Sequence, residues 1–240
     1  MSKAGENSDA LSLATAFETL IGRRYSCRAF QSRSVQREVI ERILTAAQRT
    51  ASWCNAQPWH VTITSGSGTE RLRNALYEHA ARNAQAMGSA PEYDFEAPRE
   101  YHGVYLQRRR ECGLQLYSSI GISKGDREAG TRQALENFRF FGAPHMAIIT
   151  SEESLGAYGA LDCGAYVSNF VLAANALGVA SIAQAAIASY SRFLRGYLEL
   201  PPTRKLVCGI AFGYADETQA INQFRTSRAS LGEAMSWLDN

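Results

Sequence analysis

A chain of 240 residues with 45% hydrophobic content can bury roughly 70 to 75% of its unfolded surface in one core or two merged ones, which predicts one domain over residues 1–240. A formal charge of +2 is too small for a nucleic-acid footprint, and the basic residues are scattered except at 22–28 and at Arg108, Arg109 and Arg110, so a local anionic ligand is the better expectation. Cys27, Cys54, Cys112, Cys163 and Cys208 are an odd set without a CxxC pair, which argues against a disulfide framework or a zinc site and reads as reduced thiols of a cytoplasmic protein.

In chain order, Glu6 and Asp9 precede the first apolar stretch and argue against a signal peptide. Leu13 to Ile21 has apolar spacing, and directly behind it "GRRYSCRAF" gathers Arg23, Arg24 and Arg28 around Tyr25 and Ser26. "VQREVIERILTAAQRT" places Val39, Ile40, Ile43, Leu44 and Ala47 on one helical face, and "HVTITSG" alternates as a short strand. "TERLRNALYEHAARNAQAM", residues 69–87, is helical again. A stretch at about 88–135, rich in Tyr, Arg and Glu, begins as a loop and becomes helix, as a lid or insertion would. "HMAIITS" and "KLVCGIAFGY" are apolar runs of strand length, with the long helix "GALDCGAYVSNFVLAANALG" between them. Cys163 to Ser191 holds no charge, yet Asn169, Asn175, Gln184 and Gly178 break it, so it reads as a buried helix and a short strand or loop rather than a membrane span. A helix apolar on all sides must be covered, and a partner subunit is a candidate cover. The order of elements is α+β.

Common signatures are mostly missing. "SGSGTE" supplies only the first two glycines of GxGxxG and reads as a strand-to-helix connection, and His60, His79, His102 and His145 show no metal-binding spacing. "GISKG" at 121–125 matches GxSxG around Ser123, but only His145 follows and Asp126 is too near the serine, so a chance match is favoured over a hydrolase.

"RRYSCRAF" together with "ASWCNAQPWHVTITSG" at 51–66 resembles the FMN-dependent nitroreductase family, whose members carry an RRSxRxF-like start and a PSxxNxQPW element. The resemblance continues through "FRFFGAP", "LDCGAYVSNFVLAANALGVASIAQAA", "VCGIAFGYAD" and "INQFRTSRASLGE", so it covers nearly the whole chain; Ala51 stands where the family often has proline, and Tyr25 interrupts RRS. It implies a nitroreductase-like fold, a mostly antiparallel central sheet flanked by helices. It also implies a homodimer that exchanges a C-terminal arm at about 217–240, with FMN as cofactor and NADPH or NADH as electron donor.

An FMN phosphate near charge −2 suits planar guanidinium forks and a hydroxyl, through charge-assisted bonds of about 1.5 to 3 kcal/mol each. Arg24, Ser26 and Arg28, with Tyr25 beside them, fit that role. Taken alone they serve equally well as cations at a helix end. Arg225 and Arg228 in "FRTSR" repeat the composition, and in the family this tail returns to the phosphate, so two clusters favour an anion site. Family position assigns Ser52, Trp53, Asn55 and Gln57 to the flavin edge, with Pro58 holding the residue before it extended and Trp59 left to the core. Arg139, before "FGAP" and among Phe138, Phe140 and Phe141, resembles the family's basic residue near flavin N1, in a largely buried neighbourhood; Gln184 and Ala185 match the loop that meets N5 and O4, although Gln184 also suits a strand cap.

The activity implied is two-electron, ping-pong reduction of a small aromatic acceptor, nitro to nitroso to hydroxylamine, with no protein nucleophile, acid or base. A reductive dehalogenase or an ene/quinone reductase on the same fold would share every flavin residue, and a flavin-binding protein without useful turnover is a further reading.

Overall fold

The computed structural model describes residues 3–85 and 91–239; the end of the expected 69–87 helix and residues 88–90 of the expected lid lie outside them. At the centre are four antiparallel strands, β1 (His60–Thr64), β2 (His145–Glu152), β3 (Ala180–Gln184) and β4 (Arg204–Gly213), in the order β1-β2-β4-β3. Successive side chains of a strand point to opposite faces. Ala147, Ile149, Ile210 and Phe212 therefore fall in one core cluster, and Met146, Ile148 and Ala211 in the other; a bulge in the β2–β4 pairing at Ile149/Thr150 breaks the alternation and sends Leu206 to the second cluster. With both faces covered, the inner strands read as continuous apolar runs rather than as an alternation.

The first face is covered by α2 (Arg37–Ala47), through Ile40, Ile43 and Ala47, and by α6 (Gly156–Ala176). The second is covered by α3 (Gly66–Gln85), a 3-10 segment at Glu136–Gly142 and α7 (Ser191–Tyr197). α3 starts at Gly66, earlier than expected, so the glycines of "SGSGTE" form its first turn.

α6 buries Gly159, Cys163, Tyr166, Phe170 and Ala174, one stripe at helical spacing. A Cβ on Gly159 would lie 2.5 Å from Ser151 Oγ, so only glycine allows this approach to β2. Leu161, Gly164, Ala165 and Ser168 stay exposed on the opposite face within one chain. The helix stops where Gly178 turns to φ +72°: Gly178 N–H donates to Asn175 O at 3.1 Å and Val179 N–H to Ala174 O at 2.8 Å, a Schellman closure. No helix among the described residues is long and apolar enough to cross a membrane.

α1 (Lys3–Arg23) is longer than the Leu13 to Ile21 stretch suggests and leaves Leu11, Leu13, Phe17 and Ile21 exposed; Asn175 Nδ2 donates to Leu20 O at 3.0 Å and ties it to α6. The lid consists of an extended segment, α4 (Gly103–Ser119) and α5 (Arg127–Leu135). Asp94 anchors that segment, pairing with Arg195 at 2.6 Å and accepting Leu206 N–H at 2.8 Å. The C-terminal arm holds α8 (Leu231–Ala234), opened by a Ser230/Glu233 capping box, and rests on its own α4 through Arg108 and Glu233 at 3.1 Å.

"GISKG" forms the turn between α4 and α5, and Asp126 caps α5 by accepting Ala129 N–H at 2.9 Å. His145 accepts Val35 N–H on Nε2 at 3.0 Å and faces Thr64 O through Nδ1 at 3.1 Å, so both ring nitrogens serve the fold and His145 is not a triad partner for Ser123. Burial holds its pKa below 6.5, with the Thr64 carbonyl opposing. The folded chain thus keeps the ring neutral, whereas the unfolded chain protonates it near pH 6.5. Stability is expected to fall as pH drops below about 6.5. Urea titrations of wild type and His145→Asn from pH 8 to 5 should diverge in that window; parallel curves would contradict the assignment.

Candidate cofactor site

The arginine segment leaves the first helix before it does its work. Only Arg23 belongs to α1, and residues 24–28 continue as an extended run along the free edge of β3, where Ser26 bridges Ser181 and Cys27 N–H donates to Ser181 O at 3.1 Å. Phe30 then bridges Ala215, and Gln31 N–H donates to Tyr214 O at 2.9 Å, so the run crosses to the continuation of β4. These long-range pairings fix the backbone that carries Arg24 and Arg28, which a frayed helix end would not do, and Arg28 also donates from its guanidinium to Ser26 O at 3.2 Å.

The second basic cluster arrives at the same spot. Asn222, fully buried, accepts Arg28 N–H on Oδ1 at 2.8 Å and donates through Nδ2 to Ala29 O at 2.8 Å and Asp216 O at 2.9 Å. It staples the arm to the arginine segment. Arg225 lies over the Tyr25 ring at 3.8 Å, and Arg228 is near enough to Arg24 that its charge, after burial, lowers the Arg24 pKa from its ordinary value. Burial lowers Arg28 as well and raises Tyr25. Among the described residues, none of Arg24, Arg28, Arg225 and Arg228 pairs with a carboxylate. Uncompensated guanidinium groups that repel one another are stabilised by a bound anion.

Gln184, the last residue of β3, is a buried side chain at the other end of that strand, three residues or roughly 10 Å from Ser181. Its Nε2 donates to Asn137 O at 2.9 Å, which fixes the amide orientation, and its buried Oε1 has no partner among the described residues. A buried acceptor without a donor suits a ligand N–H. Ala185 follows, exposed, at the start of a 3-10 turn.

Ser52, Trp53, Asn55 and Gln57 form a separate exposed turn. Trp53 N–H donates to Asp162 at 3.1 Å, its ring meets Tyr158 edge-on at 4.4 Å, and Gln57 N–H donates to Ser52 Oγ at 2.9 Å. Gln57 is not extended: its φ is +47°, with Cys54 and Asn55 also positive, because the bonds to Ser52 Oγ and from Gln48 to its Oε1 close the turn against the preference that Pro58 imposes. Trp59 is core, stacked on Tyr166 at 5.0 Å, with its N–H on Gln48.

Arg139 differs from expectation in its surroundings. Phe140 and Phe141 are buried, but the Arg139 side chain is half-exposed, 3.7 Å from Glu136 and 4.3 Å over Tyr77, because the backbone turns to φ +59° and +51° at the two phenylalanines and takes both into the core, leaving Arg139 on the outer side. The structure brings residues 24–28 and 222–228 together beside Ser181, sets Gln184 against Asn137 at the other end of β3, and places Arg139 over Tyr77 of α3. Asn222 and Asn137, which hold the arm and Gln184, were missed by sequence reasoning; "INQFR" and "ENFRFF" contain them, but nothing local distinguishes an organising asparagine from a turn residue.

This fold and this cluster define a flavoprotein-like oxidoreductase scaffold, and the chain belongs to the nitroreductase family, whose model matches residues 21–214. It is 37% identical to nitroreductase NfnB of Mycolicibacterium smegmatis over 92% of each chain, and 32% identical to a nitrobenzene nitroreductase of Ectopseudomonas oleovorans over 90% of this chain and 94% of that one. The crystal structure of the FMN-dependent nitroreductase NfnB from Mycobacterium smegmatis in complex with NADPH superposes with a TM-score of 0.88 at 35% identity, covering 95% of this chain and all of that one.

Proposed function

We propose that the protein is an FMN-dependent NAD(P)H oxidoreductase that reduces nitroaromatic compounds and works as a homodimer. The observation that carries this reading is the convergence of Arg24, Arg28, Arg225 and Arg228 without carboxylate partners, at the edge of a strand that ends in the unpaired acceptor of Gln184. The arginines and Ser26 hold the phosphate, and Gln184 and Ala185 meet the ring system. Bound FMN supplies two-electron chemistry between a nicotinamide donor and an electron-poor acceptor. The chain's own residues bind, orient and exclude water, and no side chain is assigned as acid or base.

The exposed α6 face and α1 apolar residues support the dimer, as do Leu231, Trp237 and Leu238 of the arm, the last of them 97% exposed in one chain. A partner covering these surfaces brings the turn at 52–57 to the neighbouring flavin. The test is the visible spectrum of the purified protein, then anaerobic bleaching by NADPH and turnover with nitroaromatic, quinone and haloaromatic acceptors. Flavin absorbance, bleaching and preference for nitro groups are expected. A colourless protein that takes up no FMN contradicts the reading, and preference for a quinone or haloaromatic replaces the substrate class.

Arg139 remains a proposal for the basic partner of the flavin. If its charge acts there, Arg139→Gln retains FMN but loses about 1 to 3 kcal/mol of stabilisation of the reduced state, a drop of roughly 20 to 65 mV. Redox titration checks this, and an unchanged potential assigns Arg139 to Glu136 and Tyr77 alone.

A further inference from the structure

We propose that the groove between α4 and α5 holds the adenosine 2′-phosphate end of NADPH, making NADPH the preferred donor; this rests on the function proposed above. The groove encloses about 950 Å³, the size of a small-molecule site, with an apolar wall from Leu114, Tyr117 and Ile122 and polar groups from Lys124, Arg127 and Thr131. Tyr117 offers an aromatic surface for a base, and Lys124 and Arg127 offer cations for a phosphate.

These cations have no carboxylate partner among the described residues. Several of the other lid cations do: Arg99 pairs with Glu96, Arg108 with Glu233 and Arg132 with Glu128, while Arg109 lies over Tyr101. The one acid lining the groove is Asp126, which caps α5 by accepting Ala129 N–H; Lys124 and Arg127 outnumber it, so the groove carries a net positive charge. The flavin phosphate has its own arginines elsewhere, so this second cationic site has a different anion to bind.

Its position suits a dinucleotide. Cys112 and Gln115 of α4 line a cavity against Arg228, whereas Leu114 and Tyr117 of the same helix line the groove. The two sites are thus separated by one helix diameter, roughly 10 Å. On the other side, α5 runs directly into the segment where Asn137 holds Gln184. NADH lacks the 2′-phosphate, and cations left without it give NADH no advantage.

The test compares adenosine 2′,5′-bisphosphate with 5′-AMP by calorimetry on FMN-loaded wild type and on Lys124→Met/Arg127→Met. The bisphosphate is expected to bind wild type about 10-fold tighter or more, and the gap should vanish in the variant while its FMN content is unchanged. The NADPH:NADH ratio of kcat/KM should fall by a similar factor. Equal binding of the two nucleotides by wild type, a result needing no variant, overturns the inference and leaves the function standing, as does a gap that survives in the variant. Flavin bleached by neither coenzyme overturns the function itself, and the inference with it.

Discussion

Arg24→Ala is expected to weaken FMN retention by about 2 to 3 kcal/mol, or roughly 30- to 150-fold in dissociation constant. Arg24 sits on the extended run beside β3, partly buried and within the field of Arg228. Its removal takes away a charge-assisted bond to the phosphate and also relieves the repulsion from Arg228 in the empty protein, so both effects lower the gain on binding. The fold should survive, since Ser26 and Cys27 keep the backbone pairing to Ser181. Dilution followed by flavin fluorescence measures the loss. Retention equal to wild type would remove Arg24 from the site.

Ala165→Arg should convert the proposed dimer to monomers. Ala165 lies on the exposed face of α6, opposite the buried stripe of Tyr166 and Phe170, so the substitution leaves the core intact. An obligate interface buries more than about 2,000 Å² and is apolar at its centre. An unpaired charge forced into it costs roughly 3 to 5 kcal/mol in each copy, enough to weaken association by at least about 100-fold. Sedimentation should show a folded monomer that has lost FMN, because the turn at 52–57 no longer reaches a neighbouring ring. The control is Phe170→Ala, fully buried against Phe212, which should cost about 3 to 5 kcal/mol of folding stability instead. A wild-type-like dimer for Ala165→Arg would move the interface off this face.

The elements that sequence made legible are those whose pattern is local. The stripe Ile40, Ile43 and Ala47 gives α2, the continuous runs give β2 and β4, and Gly178 gives the end of α6. What stayed hidden depends on partners distant in the chain. Residues 24–28 are an edge run because Ser181 lies beside them, and Asn222 matters because it meets Arg28 across the chain. Gln57 turns to positive φ because Ser52 and Gln48 hold it, which outweighs the local preference before Pro58. Family position singles out Arg139, and its phenylalanine neighbours suggest burial, yet the turn at 136–142 buries Phe140 and Phe141 while leaving Arg139 on the outer side.

The most direct test of the central claim, that the arginines of residues 24–28 and 225–228 form one phosphate site for FMN, is the difference in affinity of the apoprotein between FMN and riboflavin. The two ligands share the ring system and differ by the phosphate. The account predicts FMN to bind at least about 100-fold more tightly, through two or more charge-assisted bonds. It also predicts most of that gap to disappear in Arg24→Ala/Arg228→Ala, while riboflavin affinity stays near wild type. Equal affinity for FMN and riboflavin in the wild-type protein would contradict it.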